Sequence, residues 1–157
     1  MSNITFERAT PEAIRAVADN LRPQDLWEAR ALAKDHETTF DILKDSVDAS
    51  WIGGCVADAG TPILLWGAAP APRGYWVLWL VGTPALDRRK KTLLKTVRGI
   101  IPALFEHTKA RAFVNFTGPD NVLHQAWIKA VGGTLMEPQS VGVRGELMVP
   151  FMIKRQE

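Results

Sequence analysis

Apolar positions along this chain first recur at helical spacing, then at strand spacing, and then switch between the two. Ile4–Arg8 alternates like a first strand. Thr10-Pro11-Glu12 opens a helix, with Thr10 as N-cap and Pro11 at its first position, and Ala13, Ile14, Val17, Ala18 and Leu21 follow one face. Pro23 ends that segment. A second helix is predicted over Gln24–Ala33, with Leu26, Trp27 and Leu32 as its apolar residues, and a third over Thr38–Ala49. The period then shortens. Trp51–Ala57 and Thr61–Ala69 read as strands around the turn Asp58-Ala59-Gly60. After a Pro- and Gly-rich loop, Tyr75–Val81 reads as a buried strand. Next comes a helix over Arg88–Thr108, which Pro102 is expected to kink or restart. Ala112–Phe116 is a short strand and Asn121–Val131 a helix ending at Gly132-Gly133. The tail gives two last strands, Thr134–Glu137 and Glu146–Lys154, around the Gly142–Gly145 turn. This order predicts an α/β (α+β) domain with a central, mostly antiparallel mixed sheet flanked by helices.

Composition narrows the picture without changing it. At 157 residues and 46% hydrophobic, a single domain spanning 1–157 has room for a full core. One cysteine, Cys55, excludes an internal disulfide and a cysteine-rich metal site. No apolar run approaches the ~20 residues of a membrane span, and no leader peptide is visible. Net charge is +2, but residues 1–87 hold 7 Lys and Arg against 12 Asp and Glu, whereas residues 88–157 hold 12 against 5. The basic half could face an anion or an acidic partner, or the halves could simply complement each other.

The candidate chemistry lies where the buried strand ends. Val81-Gly82-Thr83 leads to the cations Arg88, Arg89, Lys90 and Lys91 at a predicted helix N-terminus, the position from which backbone N–H groups and the helix dipole hold phosphates. Such turns usually carry glycines, and none occurs between Leu86 and Gly99. Arg88, Lys91, Lys95 and Arg98 share one helix face, which reads either as an anion site or as a solvated face. His36-Glu37-Thr38-Thr39-Phe40 misses the helical zinc motif because Phe40 replaces the second His, and His107 and His124 have no ligand spacing, so no metal is expected. Cys55 reads as a buried small residue. Trp76 and Trp79 should lie on opposite faces of their strand. Aromatics and cations fall on different elements, which argues against nucleic acid.

The order of elements, the Val81-Gly82-Thr83 strand end and the Asn121–Gly133 segment resemble the GNAT acetyltransferase superfamily. In that superfamily the fourth strand feeds a helix whose N-terminus holds the pyrophosphate of acetyl-CoA. The resemblance thus implies acetyl-CoA as a possible cofactor, held by Val81, Gly82, Thr83, Arg88, Arg89, Lys90, Lys91 and Asn121. Two features depart from it. Lys91 and Leu93 stand where the superfamily's phosphate motif has small residues, and Ile128 stands where a tyrosine often protonates the CoA thiolate; the one tyrosine is Tyr75. Leu21–Ala29, the Trp51–Ala69 hairpin, the Val81-Gly82-Thr83 end and the Asn121–Gly133 helix further resemble the internal virion protein A family of short-tailed phages, GNAT-like proteins with no clean phosphate loop. That resemblance implies a phage role in virion assembly or inside the particle, other virion proteins as partners, a location in the host cytoplasm during assembly or in the virion, and no established catalysis. An acetyl-CoA-dependent N-acetyltransferase, and a phage protein that inhibits a host factor, are the alternatives.

Overall fold

The computed structural model describes residues 3–156. Strand β1 (Ile4–Glu7) is followed by helices α1 (Pro11–Ala18), α2 (Pro23–Ala31) and α3 (Thr39–Ala49). Strands β2 (Ile52–Asp58), β3 (Thr61–Pro70) and β4 (Tyr75–Gly82) lead into a one-turn helix α4 (Ala85–Arg88) and the long α5 (Lys90–Thr108). Then come β5 (Ala112–Thr117), α6 (Val122–Ala130), the two-residue strands β6 (Thr134–Leu135) and β7 (Gln139–Ser140), and β8 (Leu147–Lys154). The sheet order is β1-β2-β3-β4-β5-β8-β6, with β7 paired to β8. β4 and β5 are parallel, and every other pairing is antiparallel.

Local chemistry explains most boundaries. Thr10 Oγ1 accepts from Ala13 N at 3.2 Å, and Thr38 Oγ1 accepts from Asp41 N at 3.1 Å, so both helices start on a side-chain cap. The hairpin turn places Ala59 and Gly60 at φ 50° and 84°, the left-handed pair that a two-residue hairpin needs. α6 ends on Gly132 at φ 88°, with Gly133 N donating to Ile128 O at 2.8 Å.

Helices α1 to α3 cover one face of the sheet and α5 and α6 the other. Ile14, Val17, Leu43, Cys55 and Leu65 fill the first core, with Trp79 against it. Ile101, Leu104, Phe105, Phe113 and Ile128 fill the second, with Trp76 against it. The two tryptophans are therefore on opposite faces, as their odd spacing requires. Trp79 Nε1 donates to Ser50 Oγ at 2.8 Å, and Trp76 meets Trp51 edge-on at 5.9 Å.

Five expectations are corrected. The cationic helix does not begin at Arg88: Leu86, fully buried, anchors the separate turn α4, and the chain bends at Arg89 before α5. α5 is not restarted at Pro102; it continues through it, because β-sheet packing of Ile101, Leu104 and Phe105 outweighs one missing backbone donor. The strand over Thr134–Glu137 shrinks to Thr134–Leu135, and the short β7 appears between it and β8. The second helix turns its apolar residues outward: Leu26, Trp27 and Leu32 are exposed, while Asp25 is completely buried.

The strand expected to be buried, Tyr75–Val81, is only half-buried from Tyr75 to Leu80. The reason is a split in the sheet. β4 and β5 pair only through Tyr75–Ala112, Trp76–Phe113 and Val77–Val114, and beyond that they part. Asn115 Nδ2 bridges the start of the split by donating to Leu78 O at 3.0 Å.

A buried polar network closes the strand split

The wide end of the split lies between Gly82 on β4 and Thr117 on β5, and α2 closes it. Asp25 Oδ2 accepts from Gly82 N at 2.8 Å. One turn further, Glu28 Oε1 accepts from Thr117 Oγ1 and Gly118 N, each at 2.6 Å. The i, i+3 spacing puts both carboxylates on one helix face, so a single helix bonds both strand ends. From the other side, α6 contributes its N-cap. Asn121 Oδ1 accepts from His124 N at 3.4 Å and from Arg22 Nη1 at 3.3 Å, and Asn121 Nδ2 donates to Asp25 Oδ1 and Glu28 Oε1, each at 2.9 Å. Arg22, also buried, pairs with Asp25 Oδ1 at 3.1 Å and reaches Asp87 Oδ2 at 3.4 Å.

His124 completes the group. Its Nε2 lies 3.3 Å from Asp25 Oδ1, without hydrogen-bond alignment to any partner, and its Nδ1 lies 3.6 Å from Glu28 Oε2. Asn121 Nδ2 stands 3.1 Å from Nδ1. Burial presses the His124 pKa down, but the Glu28 hydrogen bond and the charges of Asp25 and Glu28 prevail over burial and the Arg22 charge, and the pKa is raised. Burial likewise presses the Glu28 pKa up, yet His124, Thr117 and Gly118 hold it below the usual carboxylate value.

The sign of the pH dependence follows. The His124 contribution to stability is complete below its unfolded pKa, about 6.5, and is lost as pH rises through its higher folded value. The Glu28 contribution is present above its unfolded value, about 4.3, and is lost as pH falls through its lower folded value. Urea denaturation at pH steps from 4 to 9 should therefore show the network most stabilising between these limits. His124→Gln should flatten the alkaline limb; an unchanged limb would place the titration elsewhere.

Asp25, Glu28 and His124 bring potential metal-ligand atoms within 4.8 Å of one another. The expectation that His124 lacks ligand spacing missed this, because its companions are nearly a hundred residues away. The trio fits a metal poorly: Arg22 and Asn121 already occupy Asp25 Oδ1, and the guanidinium supplies the balancing positive charge.

The predicted anion site is dispersed. Val81 points into the α1–α3 core. Gly82 N is bonded to Asp25, Thr83 N to Ile63 O at 2.9 Å, Ala85 N to Thr83 Oγ1, Leu86 N to Thr83 O and Asp87 N to Pro84 O. Pro84 has no N–H, so no backbone donor from Gly82 to Asp87 is left for a phosphate. A Cβ on Gly82 would come within 2.7 Å of a Leu86 methyl and 3.1 Å of Ile63 O, so this glycine serves close packing of α4 on the strands. Arg89 is tied to Asp58, Nε to Oδ2 at 2.7 Å, and that carboxylate's hydrogen bond raises its pKa. Asn121 belongs to the buried network. Lys90 and Lys91 do line a groove of about 510 Å3 between α5 and α6, together with Asp87, Asp120 and Leu123. Arg88, Lys91, Lys95 and Arg98 are exposed along α4 and α5. Ile128 is buried in the core, and burial, followed by the charge of Glu7, pushes the Cys55 thiol up to about 11, which leaves it protonated at neutral pH.

Comparison with solved structures identifies the fold. The chain superimposes on Ard1 from Thermoplasma volcanium with a TM-score of 0.71 at 13% identity, covering 99% of each chain. A GNAT-family acetyltransferase from Bacillus anthracis gives 0.68 at 10% identity, covering 100% of this chain and 98% of that one. A putative acetyltransferase from Salmonella typhimurium, yncA, solved with its cofactor acetyl-CoA, gives 0.67 at 14% identity over 99% and 95%. The fold is that of the GNAT acetyltransferases. No protein-family model and no curated protein sequence matches the chain.

Proposed function

We propose that this chain is a GNAT-fold protein that acts by binding other proteins and not by acyl transfer. The observation that carries this reading is the occupation of the turn after β4. Every backbone N–H from Gly82 to Asp87 is already bonded within the protein, and the buried Asp25 carboxylate accepts from Gly82 N at the end of β4, so the turn that leads to α5 offers no donor to an anion. A phosphate there would have to displace a carboxylate from a site that Arg22 and Asn121 also hold. The likeness of Leu21–Ala29 and Asn121–Gly133 to the internal virion proteins adds content to the reading. Leu21–Ala29 carries Arg22, Asp25 and Glu28, and Asn121–Gly133 carries Asn121 and His124. On that basis the role is in assembly or the interior of a short-tailed phage particle, with other virion proteins as partners.

Calorimetric titration with acetyl-CoA tests this. The expected result is no saturable heat up to a ligand concentration of ~1 mM, which corresponds to a binding free energy weaker than about −4 kcal/mol. Saturable micromolar binding would overturn it. One observation favours the second reading, an acetyl-CoA-dependent N-acetyltransferase: Lys90 and Lys91 face a groove beside the same helix start. If binding is seen, replacing both by Ala should weaken it, and turnover of an amine would then identify an enzyme.

A further inference from the structure

The end of the sheet opposite the split gathers cations from segments far apart in sequence. β2, β4 and β5 begin at this end and β3 and β8 finish there, as the registers Ile52–Ala68, Pro70–Trp76, Tyr75–Ala112 and Ala112–Lys154 require. Arg111 N donates to Gly74 O at 2.8 Å and so ties the connection after α5 to the loop before β4. Arg73, Lys109, Arg111, Lys154 and Arg155 are all exposed here. Glu106 pairs with Lys109 at 3.1 Å and with Arg155 at 3.5 Å. Among the described residues no carboxylate pairs with Arg73, Arg111 or Lys154. Arg73 also stands at φ 65°, in the left-handed region that glycine enters without strain, with no ion pair to offset that conformation.

Aromatic rings lie at the same end. Trp51, 74% exposed, is the most open of the large apolar side chains among the described residues, and it meets the half-buried Trp76 edge-on at 5.9 Å. The Arg111 guanidinium lies over the Tyr75 ring, 5.2 Å from its centre. Aromatics and cations that belong to different elements of the sequence are thus brought to one rim by the strand register. Cations without opposing carboxylates call for an anion, and an open indole beside them calls for a flat ring. A polyanion that carries flat rings at intervals is nucleic acid, and its ring faces are free only in a single strand. An acidic polypeptide would satisfy the cations and leave Trp51 uncovered. We propose that this rim binds single-stranded nucleic acid, with Arg73, Arg111 and Lys154 on phosphates and Trp51 stacked on a base. The proposal does not rest on the protein contacts inferred above, nor on the acetyl-CoA question, because the turn after β4 lies at the other end of that strand.

Fluorescence anisotropy of a labelled oligothymidylate of about 12 nucleotides, titrated with the intact protein, tests this. Saturable binding is expected at low salt. Three phosphate contacts give a slope of log affinity against log salt of about −2, so affinity should fall roughly twentyfold between about 50 and 200 mM. Arg73→Gly, which relieves the left-handed turn, should bring the slope to about −1.4. Trp51→Ala removes an exposed ring and should weaken binding at least about fivefold while leaving the slope unchanged. No saturable binding, or binding like the parent's in either variant, would overturn the surface. A duplex of the same length bound as tightly as the single strand would overturn the stacking on Trp51. Polyglutamate competing as well as unlabelled oligonucleotide would assign the rim to an acidic protein and overturn the proposal. So would loss of binding when Lys90 and Lys91 are replaced by Ala, since those residues lie at the opposite end, where α5 begins.

Discussion

Asp25→Ala should destabilise the protein by about 3–5 kcal/mol, the range for removing one partner of a buried ion pair. Asp25 is fully buried and its side chain serves three groups at once. It balances the buried Arg22, accepts from Asn121, and caps Gly82 N at the end of β4. Removal leaves a guanidinium 5% exposed with only the 3.4 Å contact to Asp87 as counter-charge. It also leaves an unsatisfied amide where the sheet splits. For a domain whose total stability is of the order of 5–15 kcal/mol, that is a large fraction. Asp25→Asn retains the shape and one acceptor, so it should lose distinctly less. Urea denaturation followed by circular dichroism reads both. An Ala variant within 1 kcal/mol of the parent would mean that Asp87 and water replace Asp25, and the closed turn would no longer argue against a phosphate.

Phe113→Ala should cost a similar amount, about 3–5 kcal/mol, for a different reason. Phe113 is wholly buried and meets Phe105 of α5 in a tilted contact, ring centres 4.6 Å apart. It also pairs with Trp76 at the closed end of the split, one residue before β4 and β5 part. Truncation opens a void at the point that holds the two strands together. The loss should therefore exceed that of Leu104→Ala, which lies on α5 and on neither of the two strands. Equal losses from the two would show that Phe113 contributes ordinary core packing and no more.

The difference between these two residues explains what the sequence reveals. Phe113, Ile101 and Leu104 are apolar at regular spacing, and regular spacing identifies elements, so the order of strands and helices and the GNAT-like architecture are legible. The network is not. Asp25 and Glu28 sit on a helix whose apolar residues, Leu26 and Trp27, signal the wrong inward face. Burial of the carboxylates instead is intelligible only once Gly82, Thr117 and Asn121 are brought beside them. Asn121 was recognisable as a helix start, and it is one. Its second task, donating to two carboxylates from α2, leaves no local trace. The cations at Arg88–Lys91 misled for the opposite reason: a charge block is conspicuous in a sequence whatever it does. Arg89 proves to be half of an ion pair, and Arg88, Lys90 and Lys91 are exposed, the two lysines beside a groove. The two i, i+3 pairs, Asp25 with Glu28 and Asn121 with His124, were the available signal.

The network also orders the assembly of the chain. The bonds that tie α2 and its N-cap to the strand ends and to α6 join residues 57, 89, 90, 93, 96 and 99 positions apart. Each closes a long loop, and loop closure must be met before such contacts reward it. α2 touches the neighbouring α3, but its buried carboxylates have no partners until β4, β5 and α6 are in place. The polar face of a helix near the beginning of the sequence is therefore satisfied only when elements from much later in the chain have joined it.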